Sequence, residues 1–230
     1  MEIGIVTIVY NGYGKFLKNW LASIDRLSHR PKDITIVLGK DHGAIEEDWE
    51  NYIWPEELNI IESDSNNMGE LKNLGVRETN TEWIMILDVD DEILPWAIKE
   101  FENVSGEADM IVTPYVNIAE KSFLVYPKIT ADTLLSEEYY RQGENFMHGG
   151  IPFKRKLWEK YHYQENDCSN SLFWIDCAIQ KPRIKNAMIP CLTYNRRDDS
   201  HSHVDSQERM KRFTIINNYR KLKKDETQHI

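Results

Sequence analysis

An α/β protein, with a mostly parallel central sheet covered by helices on both faces, is what this sequence predicts. Near-continuous apolar runs rich in β-branched residues recur at Ile3–Val9, Ile34–Leu38 and Trp83–Leu87, the texture of strands buried on both sides. Between them the apolar residues step by three and four, as in Phe16, Leu17, Trp20, Leu21, Ile24 and Leu27, which makes one buried stripe on a helix. With 230 residues, 41% hydrophobic and 29% charged, the chain can bury a sizeable core. Such alternation sets parallel strands side by side and leaves ligands beyond their carboxyl ends.

The elements follow in order. Ile3–Val9 runs into Asn11-Gly12, a strand that breaks into a loop, and the helix with the Trp20 stripe is closed by Arg30-Pro31. A second strand covers Ile34–Leu38. Ile60-Ile61, between Pro55 and the polar Ser63-Asp64-Ser65-Asn66-Asn67 cluster, predicts a short third strand, and Glu70–Arg77 a short helix. Trp83–Leu87 is a strand that runs into Asp88-Val89-Asp90-Asp91. After Pro95 come a helix to about Val104, a strand at Met110–Thr113, a short piece at Ser122–Tyr126, and helices at Lys154–Tyr161, Leu172–Gln180 and Ser206–Leu222. The expected organisation is one domain over 1–230: a nucleotide-binding half at 1–92, an acceptor and catalytic half at 93–204, and a carboxyl-terminal helix at 205–230.

Charge and motifs narrow the function. With 28 basic and 38 acidic side chains the net charge is −10, which disfavours binding to nucleic-acid phosphates by charge alone, so no sequence-specific nucleic acid is expected as partner. No apolar run reaches the length of a membrane span, and Met1-Glu2-Ile3-Gly4 lacks the basic start of a secretory signal, so a cytoplasmic location is expected. Cys168, Cys177 and Cys191 match neither a disulfide set nor a zinc spacing and are read as ordinary thiols. Gly12-Tyr13-Gly14 stops short of a dinucleotide fingerprint, because the third glycine position is Leu17. A phosphate loop of the Gly-Lys-Ser/Thr type and the kinase motifs are absent.

Asp88-Val89-Asp90-Asp91 puts three carboxylates at the carboxyl end of a central strand. Like charges that close are costly unless a cation offsets them, and a hard divalent ion such as Mn²⁺ or Mg²⁺ takes oxygen ligands together with a substrate phosphate. Taken alone, the residues fit a solvated acidic turn better, because Asp is common in turns. A calcium EF-hand does not: positions six and twelve of such a loop fall on Ile93 and Lys99.

Four segments taken together are more specific: Val6-Thr7-Ile8-Val9-Tyr10-Asn11, then Asn67-Met68-Gly69 with Lys72-Asn73-Leu74-Gly75, then Leu87-Asp88-Val89-Asp90-Asp91, and Tyr194-Asn195-Arg196-Arg197 leading to Ser200-His201-Ser202. In order and spacing they resemble a family-2-type GT-A glycosyltransferase over roughly residues 3 to 203. The resemblance implies the GT-A fold, a Rossmann-like, mostly parallel sheet, and a metal-dependent, inverting transfer of sugar from a nucleoside-diphosphate sugar to a carbohydrate or other hydroxyl acceptor. It also implies that Thr7, Val9, Tyr10, Asn11, Asn67 and Lys72 line the nucleotide pocket, with Asp88 on the ribose or the metal and Asp90 on the metal. Relatives carry an aspartate directly after the second strand that hydrogen-bonds the base; here Asp41, displaced by Gly39-Lys40, is the candidate for that contact, the displacement leaves the nucleotide unassigned, and a UDP-sugar is only the default donor.

Chemistry supports such a site. Negative charge accumulates on a departing diphosphate, and a divalent cation stabilises it as a Lewis acid. Lys72, Arg196 and Arg197 are candidates to neutralise it, or are surface cations. His201, or His203, is a candidate metal ligand or an exposed imidazole. The family places its general base at the start of a helix in a Glu-Asp pair; in Leu172–Ala178 the Glu position is Ile175 and Asp176 remains, as base or as helix cap, with Glu165 and Asp167 in reserve. Met147-His148-Gly149-Gly150 is expected to line the sugar or acceptor pocket or to be a plain loop. The carboxyl-terminal helix concentrates Arg209, Lys211, Arg212, Arg220, Lys221, Lys223 and Lys224, a solvated face or a peripheral contact with an anionic membrane or polyanionic acceptor. Two other readings share the carboxylate-rich α/β pattern: a GT-A-like binding module that holds a nucleotide sugar or glycan without turnover, and a metal-dependent nucleotidyltransferase.

Overall fold

The computed structural model describes residues 1–50, 52, 57–117, 122–124, 128–141, 149–166, 168–194 and 206–228. Strand β1 (Ile3–Val9) is the pivot of the sheet, buried along its whole length, and pairs in parallel with β2 (Asp33–Leu38) on one side and β4 (Trp83–Ile86) on the other. β3 (Leu58–Glu62) extends the sheet beyond β2, again parallel. Helix α1 (Leu17–Asp25), entered through a 3-10 turn at Tyr13–Phe16, covers one face, and α2 (Met68–Glu78) covers the other. This half agrees with the sequence expectation, except that α2 begins two residues earlier, at Met68, where Asn67 caps it, and runs one residue further, to Glu78.

Beyond β4 the expected helices and the strand at Met110 are present, and the chain adds short strands that were not expected. β9 (Pro152–Lys154) lies between β4 and β6 (Met110–Val112), antiparallel to both, and β10 (Ile184–Asn186) completes the order β10-β6-β9-β4-β1-β2-β3. A second sheet of four short strands is built from β5 (Glu92–Ile93), β11 (Leu192–Tyr194), β7 (Tyr115–Asn117) and β8 (Ser122–Leu124). Strands this short leave no alternation to read. The opening proline of β9 is tolerated because the first residue of a strand can forgo its donor.

Two apolar layers clamp the main sheet. Under α1 and α3 (Ala97–Ser105) lie Ile5, Val9, Trp20, Ile36, Met85 and Phe101, all fully buried. On the opposite face Val6, Val76, Ile84 and Phe153 meet α6 (Arg155–Lys160) and α7 (Ser169–Ile179), with Phe153 edge-on to Phe173 at 5.3 Å and to Trp174 at 5.7 Å. Gly75 lets α2 close onto β1, since a Cβ there would stand 2.4 Å from Val6 Cγ1. Two short helices, α4 (Ala131–Leu134) and α5 (Glu137–Arg141), and the 23-residue α8 (Ser206–Gln228) pack outside α7. Among the described residues no helix is long and apolar enough to cross a membrane.

Candidate functional site

The carboxyl ends of β1, β2 and β4 open toward one rim. There Asn11 (φ 48°) and Asp41 (φ 55°) both adopt left-handed backbone, a conformation that short polar side chains tolerate. It turns their loops into each other: Gly12 N donates to Asp41 O at 2.7 Å and Gly14 N to His42 O at 2.8 Å. Asn11 and Asp41 are exposed on this rim, while Tyr10 is buried beneath it and stacks on Tyr13 with centroids 6.0 Å apart. Gly39 N donates to Val9 O at 2.7 Å and Lys40 N to Ser65 O at 2.9 Å, tying the end of β2 to the loop before α2.

The start of α2 forms the next wall. Asn67 Oδ1 accepts from Gly69 N at 2.9 Å and Glu70 N at 3.1 Å, so this side chain is spent on the helix cap. A Cβ on Gly69 would strike the Gln164 carbonyl, which brings the 164–165 backbone against the first turn of α2. Asn73 fixes the same stretch from below, donating to Tyr163 O at 2.8 Å and accepting from Tyr163 N and Trp158 Nε1, each at 2.9 Å.

Lys72 is 2% exposed, although lysine is among the residues least often buried. Its ammonium donates to Asn170 Oδ1 at 2.7 Å and lies 5.6 Å from the Tyr163 ring centroid. Burial pushes its pKa down, and the Asp88 carboxylate opposes that fall. The surface-cation alternative is therefore set aside. Asp88 and Asp90 are half-buried at the turn after β4, where Asp91 N donates to Asp88 O at 3.0 Å and Val89 is turned into the core. Gly149 lies so close that a Cβ on it would stand 2.9 Å from Asp88 Cγ. Asp88, Lys72, Tyr163, Asn170 and Gly149 are thus one cluster.

Three of the expected site residues have buried side chains. Thr7 and Val9 are fully buried side chains of β1 and the Thr7 hydroxyl finds no partner, so at this strand it is the backbone end with Tyr10 and Asn11 that meets the rim. Asp176 is buried on α7, where its hydrogen-bond partners are Tyr219 and Gln164, the latter being the residue whose carbonyl abuts Gly69. The helix expected from Leu172 begins at Ser169, which makes Asp176 its eighth residue, and its first turn has no acidic side chain. Six residues past Asn170, at about 100° each, the side chain is turned to another side of the helix. There Tyr219 Oη lies 2.9 and 2.8 Å from its two oxygens, across the α7–α8 seam. Burial pushes its pKa up, against the Tyr219 hydrogen bond and the Lys223 charge. The role as helix cap is likewise not the one observed.

Arg196, Arg197, His201, His203, Asp167, Met147 and His148 lie outside the described residues. Among the described residues no group of three or more His, Cys, Asp or Glu could hold a metal ion. Asn170 and Tyr163 were not foreseen. The signal for Asn170 was present in Cys168-Ser169-Asn170, polar residues just ahead of an apolar run, where helices begin.

A mostly parallel sheet covered on both faces, with carboxylates and a buried ammonium at the carboxyl ends of its parallel strands, defines the class of α/β proteins that take nucleotide-type ligands at that edge. More particularly, the chain belongs to glycosyl transferase family 2, whose family model matches residues 4–180. Comparison with curated protein sequences finds no significant match. Among solved structures, the fold is similar to that of S. aureus TarS 1-349 in complex with UDP-GlcNAc (TM-score 0.68, 13% identity, covering 94% of this chain and 66% of that one). It is likewise similar to TarS 1-349 in complex with UDP (TM-score 0.65, 14% identity, 94% and 65%) and to S. aureus TarS (TM-score 0.66, 15% identity, 94% and 39%). The chain thus spans just under two thirds of the TarS 1-349 chain. The likeness establishes a GT-A fold.

Proposed function

We propose that this protein is a glycosyltransferase that moves a sugar from a nucleoside-diphosphate donor, a UDP-sugar by first choice, to a carbohydrate or other hydroxyl acceptor. The observation that carries the reading is Lys72: a buried ammonium beside Asp88, at the carboxyl ends of parallel strands, in a member of family 2. A buried cation with one neutral hydrogen-bond partner is costly to the fold, and an incoming diphosphate would offset that cost. The choice of UDP is supported by the ligands of the TarS neighbours.

As the anomeric carbon–oxygen bond breaks, charge grows on the diphosphate, and a fixed cation already in place lowers the barrier without reorganising. Lys72 supplies that charge, held by Asn170. The interlocked 11–14 and 41–44 loops form the rim for the base, with Asp41, two residues past the position at which relatives carry their aspartate, as the candidate contact. Asp88 and Asp90 would hold a divalent ion: hard oxygen donors at a strand end suit Mn²⁺ or Mg²⁺, which complete their shells with water and substrate phosphates rather than a protein cage. When bound, such an ion supplies Lewis-acid stabilisation of the diphosphate.

An inverting course requires a group that removes the proton of the acceptor hydroxyl. Asp176 is engaged by Tyr219, so we assign this role to Glu165, exposed and next to the residue that abuts Gly69 at the start of α2. The test is donor hydrolysis with Mn²⁺ present. Slow release of UDP and free sugar is the expected result; release of pyrophosphate would identify a nucleotidyltransferase, and binding without turnover a binding module.

A further inference from the structure

Helix α8 differs from the rest of the chain in charge and in what it shows to solvent. It carries seven basic and three acidic side chains, a net of +4 in a chain whose total is −10. Its inner side is well anchored: Tyr219 bonds Asp176, and Arg220, 6% exposed, donates to Leu135 O at 3.1 Å and pairs with Glu137 at 3.4 Å. Phe213 and Ile216 pack beside them on the core.

The outward side does not continue that pattern. At about 100° per residue, Met210, Lys211, Ile215, Lys221 and Leu222 fall within one arc of roughly 140°. Met210 is 60% exposed, Ile215 50% and Leu222 56%, three of the seven large apolar side chains that are exposed among the described residues. Lys211 and Lys221 are exposed between them, and the arc has no carboxylate before Asp225. The contact of Lys211 with Glu208, at 3.5 Å on the flank, is a solvent-exposed pair of the weak kind.

We propose that this outward face of α8 is a docking surface for an anionic phospholipid membrane. Charge complementarity selects the partner: a negative surface attracts this positive helix and repels the remainder of the chain, which is acidic in net charge, and this also sets the orientation. The aliphatic side chains select lipid over a soluble polyanion, since Met210, Ile215 and Leu222 gain only where apolar surface leaves water. The inference is independent of the catalytic reading, because it concerns neither the donor site nor turnover.

Vesicle flotation of the full chain tests it. The protein should float with phosphatidylcholine vesicles containing phosphatidylglycerol at low salt, and remain at the bottom with pure phosphatidylcholine or at molar salt. Lys211→Glu with Lys221→Glu should reduce the bound fraction at least tenfold. Met210→Ser, Ile215→Ser and Leu222→Ser together should reduce it to a similar degree, both variants keeping the parent melting temperature because the substituted side chains face solvent. Absence of flotation at low salt overturns the proposal. So does flotation that responds to the lysine variant and ignores the serine variant, the behaviour of a purely ionic contact with a polyanion. Concentration-dependent dimers that the serine variant dissociates would instead assign the face to a second copy of the chain.

Discussion

The Lys72 ammonium is 2.7 Å from the Asn170 carboxamide oxygen, a contact that joins the second turn of α2 to the first turn of α7 across 98 residues of sequence. It gives a buried cation a fixed direction and a neutral partner, leaving its positive charge uncancelled by that contact. Lys72→Met should weaken donor binding by about tenfold to a hundredfold, the range for a charged hydrogen bond. Stability should hold or rise, since the variant removes a buried charge. Asn170→Leu should raise the KM for the donor more than it lowers kcat. Isothermal titration with UDP-sugar and a melting curve read the two effects separately; unchanged donor affinity in Lys72→Met would remove Lys72 from the binding site.

Donor binding should require a divalent ion. EDTA is expected to abolish turnover and Mn²⁺ to restore it, while Asp90→Ala should lose most of the metal-dependent affinity and activity. Full activity in EDTA would end the metal role of Asp88 and Asp90.

Glu165 and Asp176 can be told apart by kinetics. Glu165→Gln should lower kcat by roughly two to four orders of magnitude with donor affinity little changed, as loss of a general base does. Asp176→Asn should keep kcat within about tenfold of the parent, well short of the loss expected for a base. The reverse result would return the base to Asp176.

Asp176 and Tyr219 should show themselves in stability. Burial raises the folded-state pKa of Asp176, so between the ordinary value of about 3.9 and that raised value the folded chain holds more protons than the unfolded one. Stability from this group therefore falls as pH rises through that window and stays flat above it. Thermal melts of Asp176→Asn should lack this slope. Tyr219→Phe should cost about 1 kcal/mol at neutral pH by removing one of the donors to a buried carboxylate.

Gly149→Ala probes how tightly the loop is closed on Asp88. The added methyl would stand 2.9 Å from the carboxyl carbon and 3.1 Å from the Asp88 nitrogen, so either the loop or the carboxylate must move. We expect a measurable drop in melting temperature together with a loss of donor affinity. A variant with parent affinity and stability would show that this approach is looser than described.

The amino-terminal half was legible because each element buries a long apolar stripe. Ile3–Val9 needs no context to be a strand, and the Trp20 stripe none to be a helix. The missing pieces are those whose identity comes from their neighbours. Pro152-Phe153-Lys154 is a strand only because β4 and β6 flank it, and β5, β7 and β11 are two or three residues long. At the site, the carboxylates and the Lys-Asn-Leu-Gly segment were visible as residue types. The burial of Lys72 was not, because lysine ordinarily faces water. Reading α7 from its apolar run placed its start three residues late, because Ser169, Asn170 and Ser171 carry no apolar signal.

The position of β9 has a consequence for how the chain is made. Strands β1 to β4 are complete once residue 86 has been synthesised, yet β4 then has an unpaired edge toward a neighbour that arrives 66 residues later, at Pro152. During synthesis this apolar edge, Trp83-Ile84-Met85-Ile86, is exposed to any other extended segment, including that of a second nascent chain. Only with Phe153 and its partners Phe173 and Trp174 in place does the seam close. Truncations that end between 92 and 151 should accordingly be aggregation-prone on the ribosome, and late, non-local closure should make folding slow for a domain of this size.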